Sequence, residues 1–174
     1  MAHSLVRPVQ QALVLAVAAG LLGLWLTVSG AAAPATPMAA AMTMTVALSS
    51  MGESPAVKPE TPREATGVAV VVVNAARTEV GFAVTYAGLS GPITAAHFHR
   101  GPAGQAGPVV QTICGAPEPA LAGACPTGGN SGTMAGVWRP SQELMAELQA
   151  GRIYVNLHTA LNPAGEVRGQ LTGR

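Results

Sequence analysis

The sequence predicts an all-β domain: an antiparallel β-sandwich, of Greek-key, immunoglobulin-like or barrel-like kind, with one short helix. Three observations predict it. Short segments alternate apolar and polar residues with period two. Pro- and Gly-rich punctuation separates them at short intervals. Only one stretch near the C-terminus has helical spacing.

The segments follow in order. In residues 43–49 (TMTVALS), Met44, Val46 and Leu48 alternate with Thr43, Thr45 and Ala47, as in a half-buried strand. Residues 52–62 hold three prolines and several charges and read as a loop. Residues 67–73 (GVAVVVV) are apolar on both faces and β-branched, so they read as a central strand. Residues 80–87 alternate again. Residues 94–100 (TAAHFHR) and 109–113 are strands flanking a glycine-rich turn, 101–107. The triplets GPA-GQA-GPV in that region are too few for a collagen helix and read as tight turns. Residues 133–138 are a strand candidate. Ser141 suits a helix N-cap, Glu143 suits the first turn, Leu144 and Leu148 are four apart, and Gly151 ends the helix. Residues 153–159 and 166–171 form a final pair of strands around a Pro/Gly turn.

Ahead of the domain, Arg7, an uncharged run over 12–28 and small residues over 29–33 have the layout of a secretory signal peptide. The organisation expected is a leader at 1–32, an Ala/Pro spacer at 33–41 and a β-sandwich at 42–174. An uncleaved N-terminal anchor is the competing reading, because the run is near the lower limit for a span. Either way the domain is expected outside the cytoplasm: secreted, periplasmic or at the cell surface. Membrane association would come only through the N-terminal segment if it stays uncleaved. In that setting Cys114 and Cys125 are expected to form a disulfide. A reactive or metal-binding pair would want a nearby His or closer spacing.

Charge narrows the function. Nine basic residues face eight acidic ones, and losing Arg7 with the leader balances them. Aromatics are few. Nothing here provides a basic face or stacking platform for nucleic acid, or a polybasic patch for membranes. The chain has no Asp, which excludes Asp-based calcium loops and any triad that needs Asp. No nucleophile elbow or H-E-x-x-H sequence occurs, so a non-catalytic protein is expected.

The histidines carry the sharpest signal. On a strand, His97 and His99 share a face opposite Phe98. In residues 153–159, Ile153, Val155 and Leu157 form the apolar face, while Tyr154, Asn156 and His158 form the other. Placing Leu157 opposite Val167 puts His158 across from Glu166 and Asn156 across from Arg168. If 94–100 lies beside this hairpin, His97, His99, His158, Glu166 and Arg168 meet on one polar surface. Imidazoles in this pattern suit copper or zinc and leave an open coordination position. The competing reading is a hydrogen-bonded His/Glu/Arg network that fixes the sheet. H-x-H on a sandwich is similar to the arrangement in Cu/Zn superoxide dismutase, but three histidines and no Asp cannot build such a two-metal centre.

The same segments resemble the CHRD (chordin-type) domain family. The residues that carry the likeness are His97-Phe98-His99 and Gly101, Gly107-Pro108-Val109-Val110, Tyr154-Val155-Asn156-Leu157-His158-Thr159, and Asn162-Pro163-Ala164-Gly165-Glu166-Val167-Arg168-Gly169-Gln170. The resemblance implies an extracellular or cell-envelope β-sandwich and a shared role for the three histidines. The function expected is an exported, non-catalytic module that binds a protein or cell-envelope partner. The alternative is a copper- or zinc-binding protein using His97, His99 and His158.

Overall fold

The computed structural model describes residues 42–173; the leader and spacer expected at 1–41 lie outside the described residues. The strands are β1 (Met42–Ser49), β2 (Thr66–Val73), β3 (Val80–Ala87), β4 (Ile93–Arg100), β5 (Val109–Cys114), β6 (Gly132–Trp138), β7 (Ile153–Thr159) and β8 (Val167–Gln170). A short helix, α1 (Gln142–Gln149), links β6 to β7. The strands form one antiparallel sheet in the order β5-β4-β7-β8-β1-β2-β3-β6.

The sheet curls almost into a barrel because its apolar side needs a partner and finds it in itself. Phe98 on β4 stacks on the indole of Trp138 on β6, with ring centroids 5.0 Å apart, although these strands lie towards opposite ends of the sheet. Phe82 on β3 meets Phe98 edge-on at 5.3 Å. Val71, Val84, Ile113, Val155, Leu157 and Val167 fill the space between, all fully buried. Helix α1 closes one end with Met145 and Leu148. Its start is capped as the sequence predicts, with the Leu144 N–H donating to Ser141 Oγ at 3.2 Å. Gly151 follows in the left-handed region at φ 70°.

Two elements differ in burial from what their residues suggest. Strand β2 is central in the sheet, but its outward valines reach solvent: Val68, Val70 and Val72 are 44%, 38% and 39% exposed. Strand β7, which reads as half-polar, is buried at every position. The difference lies in the loops, which lie over β7 and leave β2 bare.

Cys114 and Cys125 form the expected disulfide, with Cα atoms 4.9 Å apart. It pins the chain after β5 back onto that strand. There the Leu121 and Ala122 N–H groups donate to the Thr112 and Ile113 carbonyls at 3.1 and 2.8 Å.

Candidate metal centre

The register predicted for the last hairpin is the one observed. Leu157 pairs with Val167 and Asn156 with Arg168. Strand β4 lies on the other side of β7, with His97 opposite Asn156, His99 opposite Tyr154 and Ala95 opposite His158. A bulge between Ile93 and Ala95 resets the alternation, so that Ala96 and Phe98 enter the core and His97 and His99 turn away from it. The three imidazoles meet on the non-core face. Ring centroids are 4.8 Å apart for His97 and His158, 5.5 Å for His97 and His99, and 5.9 Å for His99 and His158.

This face is not an exposed surface, which corrects one expectation. All three histidines, Asn156, Tyr154 and Arg168 are buried. The turn 101–107, the start of the disulfide loop, the segment 163–165 and Glu53 cover them. The result is a second interior, polar where the first is apolar.

Backbone carbonyls hold each imidazole from outside. His97 Nε2 faces the Ala116 carbonyl at 2.6 Å, His99 Nδ1 the Gly107 carbonyl at 2.9 Å, and His158 Nδ1 the Pro163 carbonyl at 3.1 Å. A carbonyl oxygen only accepts, so these three nitrogens carry the ring protons. The remaining nitrogens, His97 Nδ1, His99 Nε2 and His158 Nε2, are then lone-pair donors. His97 Nδ1 and His158 Nε2 stand 3.0 Å apart. Between two neutral rings this contact has no proton to share, so it sets lone pair against lone pair. His99 Nε2 is buried with no partner at all.

Electrostatics disfavour protonation of two of these donors, those of His158 and His99. Burial, with the neighbouring His97 and His99, lowers His158 to about 4. Burial also lowers His99, aided by His97 and Arg168, against the raising effect of its bond to Gly107. Buried lone pairs facing one another are costly on their own and are relieved by a cation.

The residues fit such an ion. One ring nitrogen from each histidine lies within 4.8 Å of those of the other two. Nitrogens bound to one zinc at about 2.0–2.1 Å sit roughly 3.3–3.5 Å apart. The His97–His158 contact is near that spacing already, and His99 needs to close in by roughly 1.4 Å at most.

The supporting residues divide. Tyr154 lies parallel to the His99 ring, 4.8 Å between centroids, and the Arg168 guanidinium covers its other face at 3.4 Å. Arg168 donates to the Gln105 and Pro102 carbonyls at 2.6 and 2.9 Å, tying down the glycine-rich turn. The Gly107 N–H donates to the Tyr154 hydroxyl at 3.0 Å while its carbonyl takes the His99 proton. Only glycine fits there, since a Cβ would run into the Arg100 carbonyl. Asn156 donates to Glu53 Oε2 at 3.3 Å.

Glu166 does not join the histidines. Its backbone N–H stays paired with the Leu157 carbonyl at 2.8 Å, but its carboxylate turns to Ser90, Thr159 and Asn162. The hairpin opens into its connecting loop at this point, and the loop's own donors capture the carboxylate. Those hydrogen bonds outweigh burial and lower its pKa.

Glu53 is the polar residue that the sequence reading missed. It sits in the Pro-containing loop beside Asn156, and burial raises its carboxyl to about 8 against the lowering effects of Arg168 and Asn156. Its Oε1 and Asn156 Oδ1 are buried without partners.

A family model described as the CHRD domain matches residues 44–171. The chain belongs to the CHRD domain family. Strands β2 to β8, all but the first two residues of β1, and the three histidines fall within that CHRD match. No curated protein and no solved structure matches the chain.

Proposed function

We propose that this CHRD domain is an extracytoplasmic, non-catalytic binding module whose ligand is a single copper or zinc ion, held by His97 Nδ1, His99 Nε2 and His158 Nε2. One observation carries the reading: all three outward ring nitrogens face carbonyls, which leaves three buried lone pairs directed at each other. Backbone acceptors behind metal-ligating histidines fix ring orientation and raise ligand basicity. Imidazole donors without sulfur suit Cu or Zn rather than calcium or magnesium. Three protein ligands leave a coordination position for water or an exogenous donor.

The alternative ligand, a protein or cell-envelope partner, is favoured by the outward valine row of β2, which is uncharged and open. The two readings occupy different faces and are compatible.

Calorimetric titration with Cu²⁺ and Zn²⁺ tests the metal reading, using the chain expressed through an export route and its His97→Ala/His99→Ala variant. The expected result is one ion per chain in the parent and none in a variant that keeps its circular dichroism spectrum. A parent that binds neither ion, or a variant that binds as the parent does, overturns it.

A further inference from the structure

We infer that the Cys114–Cys125 disulfide is a positioning element of the histidine centre, so that metal affinity depends on the thiol–disulfide state of the chain; this rests on the metal reading above.

The connection runs through bonded and hydrogen-bonded atoms only. Cys114 ends β5 directly opposite Ala96, the residue before His97. Gly115 then turns in the left-handed region at φ 78°, so close to β4 that a Cβ there would meet the Thr94 carbonyl. That turn delivers the Ala116 carbonyl to His97 Nε2 at 2.6 Å. Beyond it, residues 117–124 fold back along β5, and Cys125 closes the ring onto Cys114. With the bond intact, residues 115–124 are anchored at both ends on one strand. With it cut, everything from Gly115 to Ser131 is a single long connection to β6, held to β5 by the Leu121 and Ala122 bonds and the Gln111 side chain on the Pro119 carbonyl, and tied near its far end by Leu89 to Asn130. Of the three carbonyls behind the histidines, only this one sits inside a disulfide-closed loop.

Opening the bond needs a dithiol reductant. Cys114 is buried and Cys125 half-buried, so the incoming thiolate attacks Cys125 Sγ. Cys114 leaves as a thiolate and takes a proton. The reductant's second thiol then attacks the mixed disulfide and releases Cys125 as a thiol. The dithiol supplies two electrons and two protons and ends as a disulfide. The loosened loop no longer fixes the Ala116 carbonyl, and His97 loses the acceptor that aims its ring. Losing an outer acceptor of this kind weakens metal affinity about 10–100-fold.

The test compares Zn²⁺ affinity, by competition with a chelator, in the parent, Cys114→Ala/Cys125→Ala, His97→Ala, and the combined triple variant. Alanine is used because free thiols would themselves bind zinc. The expected outcome is a 10–100-fold loss in the double variant and no further loss on adding it to His97→Ala. A folded double variant with parental affinity, or equal losses in both backgrounds, overturns the inference. A second measurement needs no metal: the nitrogen-bound Nε2 proton of His97, followed by NMR while a dithiol reduces the parent. Its disappearance with Phe98 and Trp138 signals unchanged supports the inference. Its persistence, or its loss together with those core signals, overturns it. Failure of zinc to bind any variant while the proton responds to reduction counts against the metal reading alone.

Discussion

Strands β2 and β7 invert each other. Strand β2 carries Val68, Val70, Val71, Val72 and Val73 and yet leaves its outer row open to water. Strand β7 alternates apolar and polar residues and is buried throughout. Alternation in a sequence reports which face a residue takes. It does not report what covers that face. On β7 the covering loops present backbone carbonyls, and these accept from His158 and Asn156.

The largest effect that sharpens this contrast is on the polar side of β7. Tyr154→Ala removes the ring between His99 and Arg168 and leaves the Gly107 N–H without its acceptor. The expected cost is about 3–5 kcal/mol in urea denaturation, as large as a core truncation. A cost below about 1 kcal/mol would mean that this second interior is loosely packed.

Next in size is a pH dependence confined to the same side. His158 titrates near 4 when folded and near its ordinary 6.5 when unfolded. Above pH 6.5 both states are neutral and its contribution is complete. As pH falls towards 4 the unfolded chain takes up the proton first, and the stability is lost. At about 1.4 kcal/mol per pKa unit this amounts to roughly 3 kcal/mol, with His99 acting in the same direction. Glu53 opposes it: its carboxyl is raised to about 8, so its contribution is present below 4.5 and is lost as pH rises through 8. Metal-free Glu53→Gln protein therefore lacks the opposing slope, leaving the histidines above pH 4.5 and adding the lowered Glu166 carboxyl below it; a flat stability curve between pH 6.5 and 4.5 would contradict the assignment.

The smallest effect is on β2. Val70→Thr keeps the β-branched shape on a bare face and shifts stability by less than about 0.5 kcal/mol, measured by thermal denaturation. A larger loss would show that something covers this face in solution.

Much of this was legible from residue types. The β7–β8 register followed from matching Leu157 to Val167, and the shared face of His97 and His99 from period two. The turn of the Glu166 carboxylate away from His158 was not, because it depends on donors at Ser90, Thr159 and Asn162 that come together only when the loops close. The acceptors at Gly107, Ala116 and Pro163 left no trace in residue type, since every residue has a carbonyl. Their only sequence mark is the glycine and proline content of the turns that present them. Glu53 lay in a segment that reads as an ordinary charged loop, and nothing in that pattern marks a side chain that folds back under the sheet.

The central claim is that the three histidine lone pairs surround one ion. X-ray absorption at the zinc edge of the zinc-loaded chain tests it most directly. The account predicts a nitrogen/oxygen shell at about 2.0 Å, with outer-shell scattering from three imidazoles that falls to two in His97→Ala. A shell without imidazole scattering, or a spectrum unchanged by that substitution, would contradict it.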